Sequence, residues 1–299
     1  MSIAAVSIAG IVLFIWPFLG LGLPPEVPAL AVTLGAVAAL GVMEAGTRRL
    51  DSGRLALLAA LAAIDAALRL ALVNGVGGFS PIFFLVICAG YEFGASYGFL
   101  VGAFSLLVSA LVTGGIGPWL PYETFAVGWV GASAGLAGSV VRGLRPGRRG
   151  WLPGKLDLAV LVGVAIVTGF AYGALTDIWG WVAFYRGVEN IGWTPGLSAT
   201  DTLAQFGRYY ALTSLTWDSF RAAGDALAVV ALGAPVLMAM GRLRARLGYQ
   251  ILAPEPVGLD RCSTGGGSRQ GLTRRVGLDR NRQPANQDEP QGQHPVQAR

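Results

Sequence analysis

The chain has 299 residues, of which 54% are hydrophobic and 13% are charged, and its formal net charge is +5. Soluble domains carry about 25% charged residues, so this composition excludes a water-soluble protein and predicts an all-α polytopic membrane protein. The positive charge then reflects loops placed beside a bilayer and not a nucleic-acid partner. The single histidine, His294, lies in a polar C-terminal stretch, which excludes a histidine-based triad, zinc site or haem pocket in the membrane body.

Apolar stretches near the length that a bilayer requires recur along the chain. A membrane-spanning helix needs about 20 mostly apolar residues, and eight segments approach that length. They are residues 3–21, 27–45, 54–74, 80–95, 97–115, 121–141, 156–176 and 217–241. Residues 200–216 are amphipathic and predict a helix that lies on the membrane surface or extends the last span. No Lys or Arg precedes Arg48, so we expect segment one to be a retained helix and not a cleaved signal.

The distribution of basic residues predicts the topology. All but four of the 22 Lys and Arg residues fall between segments two and three, between six and seven, and after segment eight. The positive-inside rule makes that side cytoplasmic. We therefore expect a multi-pass protein of the plasma membrane with both termini in the cytoplasm. The loops at 74–80, 115–121 and 177–216 would then face outside.

The C-terminal residues 253–299 differ from the rest of the chain. Apolar periodicity ends near Ala253, and glycine, arginine, glutamine and proline follow. A segment of this composition cannot bury a core, so we expect a disordered polar cytoplasmic tail. The two cysteines, Cys88 in segment four and Cys262 in the tail, have neither CxxC spacing nor the pattern of a disulfide framework.

Ionisable residues inside membrane segments are costly and commonly mark functional sites. Asp65 and Arg69 lie four residues apart on one face of segment three, and Asp218, Arg221 and Asp225 share a face of segment eight. The residues that the topology places in or beside the outer halves of helices are Asp65, Arg69, Asn74, Glu123, Asp177, Asp218, Arg221 and Asp225. Their convergence predicts a pocket entered from outside. The alternative is that these charges form internally neutralised pairs that hold helices together.

Tryptophan is also concentrated at the outer interface. The residues at or beyond that interface are Trp16, Trp119, Trp179, Trp181, Trp193 and Trp217, whereas Trp151 is on the inner side. An aromatic belt should populate both interfaces. The excess on one side is therefore also compatible with an aromatic vestibule for a flat organic ligand, and both interpretations remain open for each of these outer tryptophans.

Segment three carries small residues at four-residue spacing. Ala56, Ala59, Ala60, Ala63 and Ala67 form three overlapping small-xxx-small pairs. In lipid, such spacing allows close approach of another helix. Spacing alone favours packing against another helix of this chain, and docking onto a partner protein is the alternative.

From residue 54 onward the pattern resembles the substrate-binding S components of energy-coupling factor vitamin transporters. The stretches that carry the resemblance are Leu68 to Leu72, Gly77 to Phe84, Ala89 to Tyr91, Gly98 to Ala103, Gly117 to Glu123 and Gly128 to Trp129. Within that family the chain is most similar to the actinobacterial-type group often assigned to cobalamin. That group reads Gly-Pro-Trp-Thr-Pro-Trp-Gln where this chain has Leu120, Tyr122 and Glu123 in place of Thr, the second Trp and Gln.

The resemblance covers residues 54–246 and implies a six-helix substrate-binding membrane core, preceded by an N-terminal transmembrane hairpin at 1–47. It implies a vitamin pocket near loop 74–80, with cobalamin favoured and with Tyr122 among the substrate-binding residues. It also implies that the alanines at 56, 59, 60 and 63 dock onto a transmembrane T component. Two cytosolic ATPase subunits would hydrolyse ATP, so this chain would need no cofactor or metal and would not itself be an enzyme.

Two other classes of function were weighed against this interpretation. An ion-coupled secondary transporter of a small organic solute could use Asp65, Asp218 or Asp225 as its coupling carboxylate and would need no partner subunit. An intramembrane enzyme finds no support, because the membrane body lacks histidine, a nucleophile–base pair and a clustered metal motif. The glycines at 265–267 lack the lysine of a phosphate-binding loop.

Overall fold

The computed structural model describes residues 2–47, 50–71, 81–144 and 152–248, and every regular element in those ranges is helical. Helices α1 to α9 span Ser2–Ile15, Glu26–Gly46, Ser52–Ala71, Pro81–Phe93, Ala95–Thr113, Leu120–Leu144, Lys155–Phe184, Ala199–Thr213 and Leu215–Arg246. A turn of 3₁₀ helix at Trp16–Leu19 continues α1. Asn74, loop 74–80, Trp151, Cys262, His294 and the predicted tail at 253–299 lie outside the described residues.

Each of the eight predicted segments corresponds to one helix with bounds that differ by some residues, and the amphipathic stretch at 200–216 corresponds to α8. Within the described ranges, five helices are long and apolar enough to cross a membrane, namely α2, α5, α6, α7 and α9. The chain is therefore a multi-pass α-helical membrane protein. Shorter apolar helices occupy Ile3–Leu19 and Phe83–Phe93, while the 20-residue α3 contains Arg54, Asp65 and Arg69.

Helix α7 ends later than the sequence predicted. The predicted segment stopped at residue 176, before the charge of Asp177, but the helix continues to Phe184. The reason is that apolar side chains resume directly after Asp177, and Ile178, Trp181 and Val182 are all buried. Asp177 consequently lies inside a helix, about two turns from its end, and does not close it.

Glycine brings α4, α5 and α6 into backbone contact. A Cβ atom added to Gly90 of α4 or to Gly98 of α5 would overlap the main-chain carbonyl of Gly131 in α6. The helices thus approach without intervening side chains, the close packing that small residues allow in membranes. Gly94, whose φ of 101° an L side chain rarely adopts, makes the one-residue turn between α4 and α5.

The remaining helices surround this centre. Helix α3 packs on α4 and α5, the pair α1 and α2 packs on α5 and α6, and α7 pairs with α9 against α4 and α6. Gly169 on α7 faces Ala222, and Gly173 leaves the space that the Asp218 carboxylate of α9 fills. Helix α8 contacts α7, α9 and the 3₁₀ turn.

The bundle has two chemically different ends. At the basic end α4, α6 and α9 finish and α3, α5 and α7 begin, and Arg244 of α9 pairs there with Glu92 of α4 at 3.2 Å. At the aromatic end α5 and α7 finish and α6 and α9 begin, with α8 beside them, and Trp119 meets Trp179 there. The candidate site lies at the aromatic end.

Candidate ligand-binding site

A pocket of about 330 Å³ opens at the aromatic end between the start of α6 and the last turns of α7. Its lining consists of Trp119, Tyr122, Glu123, Thr176, Asp177, Trp179 and Gly180. All of these except Thr176 and Gly180 were candidate binding residues from the sequence. The fold therefore brings together side chains that are more than 50 residues apart in the chain.

Two indole rings form the mouth of the pocket. The Trp119 and Trp179 ring centroids are 5.6 Å apart in an edge-to-face arrangement, and Phe184 packs edge-on against Trp179 at 5.3 Å. Trp119 remains 36% exposed. Its indole folds back over the turn before α6, in space that a side chain at Gly117 would occupy. An aromatic face at a pocket mouth is suited to a flat organic molecule.

Two carboxylates line the same pocket. Glu123 lies in the first turn of α6, where the helix dipole favours a negative charge, and it interacts electrostatically with Arg69 and Arg221. Asp177 reaches the pocket from α7, and its buried Oδ2 has no hydrogen-bond partner among the residues that the structure describes. The buried Tyr122 hydroxyl likewise finds no partner within those ranges. The pocket thus offers acceptors that its own walls leave unused.

Asp218 and Arg221 stand behind the pocket and satisfy each other. The Arg221 guanidinium donates to Asp218 Oδ1, and the Tyr210 hydroxyl donates to Asp218 Oδ2 at 2.8 Å. Burial raises the pKa of the Tyr210 phenol, so it keeps its proton and remains a donor. Arg221 also sits 5.3 Å from the centroid of the Tyr172 ring. Asp218 and Arg221 therefore neutralise each other, and neither residue lines the pocket.

Asp65 and Asp225 differ from that pair because they are fully buried and unsatisfied. Both are 0% exposed, and none of their four carboxylate oxygens has a hydrogen-bond partner in the described part of the chain. Arg69 is within electrostatic range of Asp65 but does not bond to it. Arg69 itself is half-buried and interacts with Glu123 as well.

The other tryptophans have different surroundings. Trp181 and Trp193 are buried, and their indole N–H groups donate to the carbonyls of Ile191 at 2.6 Å and Pro17 at 2.9 Å. They therefore hold the 185–198 connection against α7 and the 3₁₀ turn, and they belong neither to a belt nor to a vestibule. Trp217 is 58% exposed on α9 and does not line the pocket.

The four alanines of α3 that were predicted to dock onto a partner point away from the bundle. Ala56, Ala59, Ala60 and Ala63 are all exposed. The buried positions of α3 are Leu58, Leu61, Ala62, Asp65 and Ala66. Packing of the exposed alanines against another helix of the same chain is therefore excluded within the described residues.

Sequence analysis missed Thr176, Gly180 and Tyr172. All three lie on the face of α7 that also carries Asp177 and Trp179. Thr176 and Gly180 follow Tyr172 by one and two helical turns. Extending the predicted segment beyond residue 176 would have placed Asp177, Trp179 and Gly180 on the same helix as Tyr172 and Thr176. Tyr210 was named only as part of an amphipathic stretch, because its partner Asp218 belongs to the following helix.

The pocket therefore combines an aromatic mouth, two carboxylates and a free phenol, with a satisfied ion pair behind them. Counting Glu123, Asp177 and Asp218 against Arg69 and Arg221, acidic groups outnumber basic ones around it. Such a site can hold a flat organic molecule and can accept hydrogen bonds or positive charge from it. No protein-family model, no curated protein and no solved structure matches this chain.

Proposed function

We propose that the chain is the substrate-binding S component of an energy-coupling factor importer and captures a vitamin or related micronutrient in the pocket at the aromatic end. One observation carries the proposal. The Gly-Pro-Trp element just before α6, together with the first turn of α6, supplies Trp119, Tyr122 and Glu123 to the pocket that also receives Asp177 and Trp179 of α7. In this proposal the pocket opens to the outside of the plasma membrane, and the basic end and both termini face the cytoplasm.

The substrate follows from two considerations. The resemblance seen in the sequence favours cobalamin. The dimensions and charge of the pocket support a smaller flat molecule with a positive charge, because about 330 Å³ lies near the lower limit for organic ligands, and carboxylates beside indoles attract cations. Cobalamin and small aromatic cations are therefore the first two classes to assay.

The proposed partners are a transmembrane T component and two cytosolic ATPase subunits. The exposed alanines Ala56, Ala59, Ala60 and Ala63 support a docking face on α3, because they present a flat surface that none of the helices α1 to α9 covers. The proposal assigns the six-helix core to α3–α7 and α9, the N-terminal hairpin to residues 1–47, and a disordered tail to residues 253–299. ATP hydrolysis, and with it any enzymatic activity, belongs to the partners.

Native mass spectrometry of the purified chain tests substrate capture. We expect one small organic molecule per chain, or binding of one member of a panel that contains cobalamin and small aromatic cations. A chain that purifies empty and binds no member of the panel would contradict the proposal.

Co-purification tests the docking face. Ala60→Trp should block capture of the T component and leave substrate binding intact, because the bulky ring prevents close helix approach at an exposed position. A matched control is Leu212→Trp, at a 75% exposed position of α8 outside that face. Equal capture by both variants would remove α3 from the proposed interface.

An ion-coupled secondary transporter is the second candidate, and the buried carboxylates of Asp65 and Asp225 favour it. An acid without a partner inside a membrane protein is a common feature of ion pathways. Reconstitution of this chain alone separates the two candidates. Uptake driven by a sodium or proton gradient without ATPase subunits would support the transporter and contradict the S component.

A further inference from the structure

A polar cluster lies buried between α3 and α5, apart from the pocket. Asp65 of α3 and Ser105 of α5 are 0% exposed, and Ser109 is 1% exposed. The Ser105 hydroxyl is within interaction range of the Asp65 carboxylate. Neither oxygen of Asp65 and neither serine hydroxyl completes a hydrogen bond within the described ranges. Four oxygen atoms are therefore buried in a membrane protein without partners, which costs free energy unless something else satisfies them.

The two serines differ from three threonines of these helices in their hydrogen bonding. Thr113 of α5, Thr124 of α6 and Thr168 of α7 each donate to the carbonyl four residues earlier, at 2.7 to 2.8 Å. That local bond satisfies a buried hydroxyl at little cost. Ser105 and Ser109 do not form it, so their oxygens stay available on the face of α5 that packs on α3.

The register of α3 and α5 places the three side chains at one level. The Tyr97 hydroxyl donates to the Arg54 carbonyl at 3.2 Å, which aligns the beginnings of the two helices. Asp65 follows Arg54 by 11 residues, and Ser105 and Ser109 follow Tyr97 by 8 and 12 residues. At 1.5 Å per residue, Asp65 therefore lies between the levels of the two serines.

We propose that Asp65, Ser105 and Ser109 form a binding site for a sodium ion. Hard oxygen ligands from one carboxylate and two hydroxyls suit a small hard cation. One negative charge balances one positive charge, whereas calcium and magnesium sites in proteins draw on more carboxylates. No group of three or more metal-binding acids, cysteines or histidines occurs among the described residues, which agrees with a monovalent ion.

The charged neighbour of this site is Arg69, one helical turn from Asp65 and nearer the aromatic end. Arg69 also interacts with Glu123 in the pocket, so its charge is shared between two carboxylates and does not neutralise Asp65 alone. The sodium site is inferred from the buried oxygens between α3 and α5 and does not depend on the importer assignment. It would serve equally as a structural ion or as a coupling ion.

The test uses the full chain purified in detergent, with sodium chloride exchanged for choline chloride at constant ionic strength and pH. We expect one ²²Na⁺ ion per chain in equilibrium binding. We also expect a rise in Tm of about 5 °C or more when sodium exceeds its Kd by about 100-fold. Asp65→Asn should weaken sodium binding by about 100-fold or more, and Ser109→Ala should weaken it by about tenfold.

Asp157→Asn is the control, because Asp157 is also a buried acid but lies on α7 at the basic end, where Tyr91 and the Gly154 amide donate to it. It should keep the sodium response. If Asp65→Asn does not fold, Ser105→Ala combined with Ser109→Ala carries the test. Equal Tm values in sodium and choline, or a stability that follows pH but not sodium, would overturn the site, the latter by identifying a proton as the occupant. Substrate binding measured on the same samples keeps this outcome separate from that of the importer proposal.

Discussion

The two ends of the bundle both bury charged residues between helices, but they satisfy them differently. At the basic end, Glu92 pairs with Arg244 at 3.2 Å, and Asp157 accepts from the Tyr91 hydroxyl at 2.7 Å and from the Gly154 amide at 2.7 Å. In the half of the bundle nearer the aromatic end, oxygens of Asp65, Asp177 and Asp225 have no hydrogen-bond partner in the described part of the chain.

This difference separates carboxylates that are paired between helices from carboxylates whose oxygens remain open. A closed network gains Coulomb and hydrogen-bond energy and fixes the helices that contribute to it. A buried carboxylate without a hydrogen-bond partner lowers the free energy of unfolding until a ligand or an ion pairs with it. The basic end therefore fastens α4, α7 and α9 together. The half of the bundle nearer the aromatic end combines the closed Asp218–Arg221 pair with open carboxylates.

The largest effect that would sharpen the comparison concerns the pocket mouth. Trp119→Ala should weaken binding of the captured ligand by about 30-fold or more, because buried aromatic anchors contribute about 2 kcal/mol or more. Trp217→Ala, which removes an indole at an exposed position outside the pocket, should change affinity less than about twofold. Equilibrium titration of both variants measures this, and equal losses would separate Trp119 from binding.

The next effect concerns the closed network. Glu92→Gln should lower the free energy of unfolding by about 2 kcal/mol, because it removes the charge that holds Arg244, and should leave ligand affinity unchanged. Thermal unfolding should report a fall in Tm of about 4–8 °C. Glu123→Gln, the same substitution at the aromatic end, should lower the free energy of unfolding less and should weaken ligand binding more. The reverse ranking would break the division between the two ends.

The charge of the pocket gives a third prediction. Asp177→Asn should weaken binding of a cationic aromatic probe by about tenfold, and binding of a neutral probe of similar shape much less, since only the charge is lost. Titration with the two probes at low and physiological salt measures the difference. A uniform loss for both probes would mean that Asp177 acts through shape.

The smallest effect compares two buried aspartates. Asp225→Asn should raise the free energy of unfolding by about 1 kcal/mol, because it relieves an uncompensated buried acid. Asp157→Asn should lower it by about the same amount, because it disturbs two hydrogen bonds at the basic end. Unfolding curves of the two variants should therefore shift in opposite directions, and a shift in the same direction would contradict the comparison.

Much of the helical layout could be predicted from the sequence, because helices that cross a bilayer are marked by local hydrophobicity. The end of α7 was missed because a single charge at Asp177 resembles a boundary when its burial is unknown. The contact among Gly90, Gly98 and Gly131 could not be predicted, because the three glycines lie on different helices and single-sequence periodicity does not pair them.

The pocket residues could be proposed because charges and indoles are rare at such positions, so each one is informative. For neighbouring residues of the same type, the sequence could not tell which one lines the pocket and which one is buried in the core. Trp179 and Trp181 are two residues apart, yet one lines the pocket and the other is buried with its N–H bonded to Ile191. Only the three-dimensional path of the 185–198 connection distinguishes them.

The glycine contact among α4, α5 and α6 also distinguishes the two walls of the pocket. Gly90, Gly98 and Gly131 bring three helix backbones together without an intervening layer of side chains, and close-packed interfaces of this kind deform little. One wall, formed by Trp119 and Glu123, lies at the start of α6, whereas the opposite wall belongs to α7, which is paired with α9. If the pocket changes shape, we therefore expect α7 and α9 to shift against α6, and we expect α4, α5 and α6 to keep their positions relative to one another.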